Sequence, residues 1–273
     1  MSPKKRFQKL LLEIGAVVLS LIYIIPAWMV LVNSFKEKKE ANKFDLGLPK
    51  EFHFENYLRV FQEGNIMRSL FNGLLIATVG VVAVILISSL AAFYIARAKN
   101  RMANGFYMYF ISGMLIPVAM IPTYIILLLL KLNNTYIGLI FMFITYCIPV
   151  SIFLYTGFMK SIPEEIDEAA IMDGCRGPQL FFRVIFPLLK SVTVTVFVIN
   201  FMGIWNDVNT QLFFASGDKW TMPMTVYRFY GIYLSDWNLV FADVVVTVLP
   251  VFIVYMFAQN QMVEGMTAGA VKG

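Results

Sequence analysis

The most chemically distinctive stretch of this chain is a group of carboxylates in its second half. Four acids stand within five residues, directly after a proline: Pro163, Glu164, Glu165, Asp167 and Glu168. Proline suits the first turn of a helix because that position needs no backbone N–H, and acids in a first turn meet the positive end of the helix dipole. These residue types therefore predict a short helix that displays negative charge.

The same stretch continues into a turn and a second helix. Ile166, Ala169 and Ala170 recur at helical spacing and predict a narrow apolar face. Gly174 is typical of a helix C-terminus, and a Gly-Pro pair three residues later begins another apolar run. We therefore expect a helix–turn–helix over 161–189, with a small-residue face onto which another protein docks.

Residues that would carry catalysis or hold a metal are scarce. His53 is the single histidine, so the sequence offers neither a histidine-based metal cluster nor a catalytic triad. The two cysteines, Cys147 and Cys175, fall in an apolar block and in the polar loop, which gives no metal or disulfide framework. The phosphate-binding pattern GxxxxGK followed by Ser or Thr is absent. We expect no catalytic residue, metal or cofactor in this chain, and any ATP to be hydrolysed on another subunit.

The composition is that of a membrane protein. Of the 273 residues, 59% are hydrophobic, and the mean hydropathy is +0.72, far above that of an ordinary soluble domain. The net charge of +5 does not indicate nucleic-acid binding, because many basic residues flank apolar blocks, as membrane anchors do. The sequence predicts an all-α integral membrane protein.

The apolar residues form six blocks, each near the roughly 20 residues that cross a bilayer as a helix. The third block contains Pro117 and Pro122, each of which predicts a kink. A cleaved signal peptide is the alternative for the first block, but that apolar run is too long and lacks a small-residue cleavage site. The predicted bounds of the blocks are 10–32, 69–95, 105–130, 137–159, 188–204 and 239–262.

The distribution of lysine and arginine predicts which side each loop occupies. The basic segment 1–9 places the N-terminus in the cytoplasm, and an even number of spans returns the C-terminus there. The loop 161–187 is then cytoplasmic, and the segment 33–68 is outside. The lysines of 33–68 do not fit the rule that basic residues are more frequent in cytoplasmic loops. Residues 54–61 of that outer segment predict a short amphipathic helix, and the tail 263–273 is expected to stay flexible until bound.

Four anchors around the carboxylates resemble a known pattern. The tripeptide Glu-Ala-Ala at 168–170 is followed after three residues by Gly174, and after nine more by Val-Ile-Phe-Pro at 184–187. This spacing resembles the EAA loop of ABC importer permeases, in which EAA, three residues, G and nine residues precede I-x-L-P. Val184 and Phe186 depart from that pattern but remain apolar.

The ending 266–273 and the segment 220–227 resemble, more narrowly, the shorter maltose-permease-G-like subunit of carbohydrate importers. The resemblance implies a type I ABC importer fold, with six transmembrane helices and a cytoplasmic coupling helix–turn–helix in one permease domain over 1–273. It implies import of a sugar, with an oligosaccharide expected, across a bacterial or archaeal cytoplasmic membrane. The implied partners are a second homologous permease in a heterodimer, two ATPase subunits that carry ATP and Mg, and an extracytoplasmic solute-binding protein.

Two other functions stay open. An ABC importer for a non-sugar solute would share the EAA loop but usually lacks this ending. A secondary transporter subunit would place charges deep in its spans and lack a large docking loop. An enzyme is not indicated, because no set of nucleophile, base and acid is visible.

The resemblance also assigns roles to residues. In docking on an ATPase subunit, Glu168 is expected to pair with a basic residue, the alanines to allow close approach and Gly174 to make the turn. The residues implied in this docking are Glu168, Ala169, Ala170, Asp173 and Gly174. The resemblance implies a second contact with the ATPases through the end of the chain, and the alternative is that this end is disordered. The residues implied in this contact are Gly269, Ala270, Val271, Lys272 and Gly273.

Candidates for the substrate path are polar and aromatic residues of the spans, because amide hydrogen bonds and aromatic faces hold sugars. Each candidate has an alternative role: Trp205 could anchor the membrane interface, the asparagines could lie in headgroup water, and the tyrosines could pack in the core. Tyr146 is a further tyrosine candidate with the same alternative. The aromatic outer loop 216–236 is expected to reach the solute receptor, or else to cap the membrane interface. The path candidates are Tyr124, Asn200, Trp205, Asn206 and Asn209.

Overall fold

The computed structural model describes residues 3–231 and 234–270, with side chains described for Lys9, 12–231 and 235–259. Most of this is helical, and the sheet among the described residues is an antiparallel pair of two-residue strands. A 3₁₀ segment, Met222–Arg228, precedes the strands. The helices are α1 (Pro3–Asn33), α2 (Lys38–Ala41), α3 (Glu55–Glu63), α4 (Ile66–Arg97), α5 (Arg101–Gly113), α6 (Met120–Leu129), α7 (Tyr136–Met159), α8 (Glu165–Met172), α9 (Leu180–Leu188), α10 (Lys190–Trp205), α11 (Asn209–Phe214) and α12 (Trp237–Ala270), and the strands are β1 (Tyr230–Gly231) and β2 (Leu234–Ser235).

Four of the described helices are long and apolar enough to cross a bilayer. They are α1 from Leu12 onward, α4, α7, and α12 as far as Gln259. Helices α9 and α10 are each too short to cross alone and qualify only as a pair, with a bend of 75° between them. Four of the six predicted blocks therefore coincide with one continuous helix each, and the other two do not.

The third predicted block, 105–130, is broken rather than kinked. Helix α5 ends at Gly113 and α6 begins at Met120, so six residues between them leave the helix. Pro117 lies in this break, where it removes a backbone donor and disfavours the helical conformation of the residue before it. Pro122 lies in the first turn of α6, where a missing N–H costs little. The expectation of one helix with two kinks is wrong here.

The fifth predicted block, 188–204, corresponds to α10 after a sharp bend. The preceding helix α9 begins with a π-helical stretch, Leu180–Ile185, in which the N–H of Phe186 bonds to the carbonyl of Phe181, five residues earlier. Pro187 follows and cannot donate a backbone hydrogen bond. Leu189 is fully buried at the bend.

The last helix is longer than predicted. The sixth block was expected to end at 262 and to leave a flexible tail, whereas α12 continues to Ala270. The segment between contains good helix formers and no proline, and its glycines at 265 and 269 cost only about 1 kcal/mol each in a helix interior. The backbone of 263–270 is therefore helical, which corrects that expectation.

The chain divides into two compact units, of which the first comprises Met1–Met67 and Thr225–Leu249. Asn56 organises its polar core. The Asn56 amide donates to the carbonyls of Ser34 and Lys36 at 2.9 Å each, and its oxygen accepts from Asn238 at 2.8 Å. Helix α3, which contains Asn56, confirms the short helix predicted over 54–61.

The second unit comprises Arg68–Met224 and Pro250–Gly273. Hydrogen bonds join α7 to α10 inside it: Tyr155 Oη donates to Thr193 Oγ1 at 3.0 Å, and Asn200 Nδ2 donates to Ser151 Oγ at 2.9 Å. These bonds fix the two helices that lead into and out of the polar loop predicted to dock.

Candidate functional site

The polar loop between α7 and α9 folds as its sequence predicts. Helix α8 occupies Glu165–Met172, with Glu165, Asp167 and Glu168 in its first turn. Its C-terminus shows why glycine is needed at position 174: there φ is +89°, a conformation that other residues rarely adopt. The Gly174 N–H bonds to the carbonyl of Ile171, and the Cys175 N–H to that of Ala170, both at 2.9 Å. This pair of bonds is a Schellman motif, which ends the helix.

Helix α8 has one buried face and one exposed face. Asp167 and Ala170 are buried, at 9% and 8% exposure, and Ile166 is half-buried beside them. The docking face predicted from Ile166, Ala169 and Ala170 is therefore split, because Ala169 is exposed whereas Ala170 is buried and Ile166 is half-buried against their own chain.

The residues left for a partner follow from that division. The exposed face carries a carboxylate next to small and apolar side chains, a surface suited to a partner that combines a basic residue with an apolar groove. Ala170 faces its own chain and does not belong to this surface. The exposed residues are Glu168, Ala169, Ile171, Met172, Asp173 and Gly174.

The buried face of α8 is held by an arginine from a distant helix. Arg97, the last residue of α4, donates from Nε to Asp167 Oδ2 at 2.6 Å and from Nη2 to Oδ1 at 3.1 Å. Its Nη1 donates to the carbonyl of Ile162 at 3.1 Å. Both side chains of the ion pair are largely buried, at 15% and 12% exposure. The two parallel bonds fix the orientation of α8 as well as its distance from α4.

A second, exposed ion pair lies beside the first. Lys99 Nζ is 2.8 Å from Glu164 Oε2, with the two side chains 74% and 47% exposed. The hydrogen bond from Lys99 lowers the pKa of the Glu164 carboxyl below its ordinary value. Exposed pairs of this kind contribute little to stability.

The segment after the turn also packs on α4. Phe181 in α9 is buried, and its ring centroid is 5.5 Å from that of Phe93 in α4. Phe186 packs against Phe181 at 5.8 Å, and Ile185 is fully buried. Of the residues at 184–187 that matched the end of the EAA pattern, Ile185 therefore belongs to the core around this bend, Val184 and Phe186 are half-buried, and Pro187 is exposed.

Two of the substrate-path candidates are core residues. Trp205 is 1% exposed and stacks on Phe201 with ring centroids 5.7 Å apart. A Cβ added at Gly73 would lie 3.1 Å from the Trp205 ring, so α4 approaches it closely. Asn200 is buried, and its amide donates to Ser151 Oγ and to the Val196 carbonyl. Neither side chain is exposed to a solute, and Trp205 is not an interfacial anchor.

The other three candidates keep accessible surface. Asn206, just after α10, and Asn209, the first residue of α11, are exposed, and Tyr124 on α6 is half-buried. The Tyr124 ring lies 6.2 Å from that of Phe214, on the helix that Asn209 begins. The structure therefore places these three residues on neighbouring elements.

An open cavity of about 690 Å³ lies beside the break between α5 and α6. Its lining includes Tyr109, Thr123, Thr145 and Tyr146, together with most of the non-helical segment 114–119. The hydroxyl oxygen of Tyr146 is buried and has no hydrogen-bond partner among the described residues. The cavity thus combines aromatic faces, hydroxyls and backbone groups outside a helix.

The outer loop 216–236 is held at both of its ends. In the second unit, Ser216 exchanges hydrogen bonds with Asn134, and the Asn72 amide donates to the carbonyls of Asp218 and Trp220. In the first unit, Asp236 pairs with Lys38. Residues 232 and 233 lie outside the described residues.

The predicted tail contact falls mostly beyond what the structure describes. Gly269 and Ala270 are the last two residues of α12. Val271, Lys272 and Gly273 lie outside the described residues. No group of three or more His, Cys, Asp or Glu in the described part of the chain is placed to hold a metal ion.

The main feature of this site that the sequence does not predict is the Arg97–Asp167 ion pair. Arg97 counted only as part of a basic turn, and Asp167 only as one acid of a cluster. Only the structure shows that Asp167 shares the inner side of the loop with Ile162 and Ala170, which stand five residues before it and three after it. A buried acid at that register indicates a cationic partner within the chain.

Comparisons with known proteins agree with this architecture. A family model described as the binding-protein-dependent transport system inner membrane component matches residues 84–267. The chain is 35% identical over 271 residues to the probable starch degradation products transport system permease protein of Thermoanaerobacterium thermosulfurigenes, covering 98% of this chain and 99% of that one. It is 33% identical to the multiple sugar-binding transport system permease protein of Streptococcus mutans, covering 96% and 95%. It is 30% identical to the melibiose/raffinose/stachyose import permease protein of Bacillus subtilis, covering 94% and 95%.

The fold also occurs among solved structures. A chain of a bacterial ABC transporter involved in the import of the acidic polysaccharide alginate superimposes with a TM-score of 0.83, over 95% of this chain and 98% of that one. The two sequences are 21% identical, so this likeness concerns the fold.

Proposed function

The chain belongs to the family of binding-protein-dependent transport system inner membrane components, and from that premise we propose that it is the permease subunit of an ATP-driven importer for a sugar, with an oligosaccharide as the expected solute. The observation that carries the proposal is helix α8. It ends in a Schellman turn at Gly174 and presents Glu168 and Ala169 outward, next to the exposed side chain of Met172. The relatives named for starch degradation products, multiple sugars and melibiose, raffinose or stachyose support a sugar.

The proposal includes six membrane crossings in one permease domain over 1–273. Helices α5 and α6 together form the third crossing, and α9 with α10 forms the fifth. With 13 and 10 residues, α5 and α6 are about 20 Å and 15 Å long, which together exceed the roughly 30 Å of a hydrocarbon core. Both termini and α8 then lie in the cytoplasm, as the basic segment 1–9 favours.

The exposed face of α8 is the proposed docking surface for an ATPase subunit. Glu168 offers a carboxylate to a basic residue, Ala169 permits close approach, and Asp173 and Gly174 form the edge of the turn. Ala170 contributes from the inside, by packing α8 onto its own chain. A second contact is proposed for the end of the chain, at 269–273. ATP and Mg are bound by two ATPase subunits, so this chain is not itself the enzyme.

The remaining partners are a second homologous permease, which completes a heterodimer, and an extracytoplasmic solute-binding protein. We place the receptor contact at the outer loop 216–236, whose exposed rings include Tyr227 and Tyr230. Closure of the ATPase subunits on ATP would move α8 and shift the membrane helices between an inward-open and an outward-open state. ATP and the solute would each shift this equilibrium by binding one of the two states more tightly than the other.

The solute path in this half of the heterodimer is proposed to pass the cavity beside the break at 114–119. Non-helical backbone at membrane depth is tolerated where it lines a water-filled cavity, and the lining hydroxyls and aromatic rings suit a sugar. Tyr146 offers a buried hydroxyl, while Tyr124, Asn206 and Asn209 remain candidates on exposed elements. Asn200 and Trp205 support these elements from the core.

A mild-detergent purification of this chain from its native membranes, with its partners identified by mass spectrometry, tests the proposal. Recovery of a second permease, an ATPase and a solute receptor is expected, and the receptor is then screened against sugars. Recovery of the chain alone, under conditions that preserve other membrane complexes, would contradict the importer and favour a secondary transporter. A receptor selective for a non-sugar solute would contradict only the proposal that the solute is a sugar.

A further inference from the structure

Helix α4 and helix α8 are joined without being neighbours in the chain. Arg97 and Asp167 are 70 residues apart, and the guanidinium of Arg97 makes two bonds to the carboxylate and a third to the carbonyl of Ile162. The planar guanidinium has few ways to satisfy three acceptors at once, so the bonds fix angle as well as distance. Helices α7 and α9 flank α8 in the chain, whereas α4 is joined to it by the bonds between the side chains of Arg97 and Asp167.

The proposed docking face of α8 and the face that binds α4 are formed by neighbouring residues. Asp167 points into the chain, and the next residue, Glu168, is exposed on the outer face. The segment after the turn contacts α4 as well, through the rings of Phe181 and Phe93. A displacement of α8 therefore acts on the end of α4 through an ion pair on one side of the turn and an aromatic contact on the other.

We propose that Arg97 is a positioning residue of energy coupling, which ties α4 to α8 through Asp167 so that the second membrane span moves with the docking helix. This inference rests on the proposed function, because it assigns a consequence to the motion of α8. Without the pair, an ATPase would still move α8, but α4 would follow only through apolar contacts. Transport would then be lost while ATP hydrolysis continued.

The chain supplies a matched control. Lys99 and Glu164 join the same two regions through an ion pair at 2.8 Å, but both side chains are well exposed. Water replaces such a pair at little cost, whereas removing one partner of a buried pair leaves an uncompensated charge. Substitution of Arg97 should therefore matter, and substitution of Lys99 should not.

The first experiment uses the complete importer in proteoliposomes, with solute uptake and ATP hydrolysis measured on the same sample. Arg97→Ala is expected to lower the ratio of solute transported to ATP hydrolysed by roughly tenfold or more. Arg97→Lys should recover part of it, because a point charge reaches the carboxylate without the planar fork. Lys99→Ala should leave the ratio unchanged. Equal ratios in Arg97→Ala and Lys99→Ala, or a proportional fall of uptake and hydrolysis in Arg97→Ala, would overturn the proposal.

A second experiment avoids dependence on the charge itself. Cysteines replace Arg97 and Asp167 in a chain whose own Cys147 and Cys175 are changed to Ala, and a short bifunctional thiol reagent joins them. If α4 and α8 travel together, cross-linking restores the ratio that the two substitutions lowered. If cross-linking leaves the ratio low or abolishes transport, the helices separate during the cycle and the proposal is wrong.

The wild-type complex separates this inference from the proposed function. If the wild-type complex shows no ATP-dependent uptake of the sugar that its receptor selects, the proposed function as an importer is wrong. Uptake by the wild type together with full coupling in Arg97→Ala removes only the role of Arg97.

Discussion

The ammonium group of Lys36 is fully buried and lies 2.5 Å from Oδ1 of Asp45, whose side chain is 47% exposed. Asn33 Oδ1 accepts a second hydrogen bond from Lys36 at 3.1 Å, and the Asn33 amide donates to the Asp45 carbonyl at 2.8 Å. The hydrogen bond from Lys36 lowers the pKa of the Asp45 carboxyl. The cation of this pair is thus inside the first unit, and the anion reaches water.

This asymmetry predicts which partner is costlier to remove. Asp45→Asn leaves a buried ammonium without an anion, whereas Lys36→Met leaves a carboxylate that can hydrate and fills the site with an apolar chain of similar length. Asp45→Asn should therefore lower the apparent midpoint of thermal denaturation in detergent more than Lys36→Met does. Lys50→Met, at an exposed lysine of the same segment, is the control. A larger loss in Lys36→Met would contradict the argument.

A pH dependence is expected at His53, the single histidine of the chain. Its Nδ1 lies 2.6 Å from Glu55 Oε1, and this hydrogen bond raises the pKa of His53 above 6.5. The interaction is fully present below pH 6.5 and is lost as the pH rises through the higher pKa of the folded protein.

Selective isotope labelling of histidine gives one imidazole signal to titrate by NMR. The midpoint should exceed 6.5 in the wild type and fall in Glu55→Gln. Glu51→Gln should lower the midpoint less, because Glu51 acts on His53 only through its charge at a distance. Identical midpoints in the wild type and Glu55→Gln would show that the hydrogen bond has no effect in solution.

Much of this architecture could be predicted because it depends on local signals. Long apolar runs set α1, α4 and α7, and the proline and glycine at 163 and 174 bracket α8 within two residues of its observed ends. Proline chemistry also located the disturbance in the third block. It could not tell a kink from a six-residue break, because that choice depends on what α5 and α6 pack against.

The orientation of polar side chains was not predictable from one sequence. Asn200 and Trp205 are candidates for the solute path by sequence, and both are buried against other elements, as is Asp167 of the predicted charged helix. In an apolar helix every face can be buried, so hydrophobic periodicity does not mark the inner one. The Arg97–Asp167 ion pair required the meeting of two segments 70 residues apart, which no local pattern encodes.

A role for Asn200 in helix packing rather than in solute binding has a measurable consequence. Asn200→Leu removes the bond to Ser151 and should destabilise the chain by about 1 kcal/mol, the scale of interhelical hydrogen bonds in membranes. The solute concentration for half-maximal uptake should not change. A double-mutant cycle with Ser151→Ala should show non-additive stabilities. A change in that concentration without a loss of stability would restore Asn200 to the solute path.

Charge reversal at Glu168 tests the docking face. Glu168→Lys replaces an exposed carboxylate beside Ala169 with a cation that repels the basic residue expected on the ATPase. Uptake should fall strongly, and less ATPase should be recovered with the purified chain, while membrane insertion is unchanged. Glu51 is an exposed acid on the opposite proposed side of the membrane, so Glu51→Lys should change neither uptake nor the recovery of the ATPase. Normal uptake in Glu168→Lys would argue against this face.

The turn at Gly174 offers the sharpest separation of backbone from side-chain effects. A Cβ at Gly174 would meet nothing within 4 Å, so substitution creates no clash inside the chain. Its φ of +89° is the obstacle, and a left-handed conformation costs Ala about 1–2 kcal/mol but is more tolerable for Asn. Uptake per ATP hydrolysed should therefore fall in the order wild type, Gly174→Asn, Gly174→Ala, with Gly174→Asp impaired further if the added charge disturbs docking. Gly157→Ala, at a helical glycine that is equally unobstructed, should match the wild type. If Gly174→Ala also matches it, the Schellman turn does not set the orientation of α8 that coupling requires.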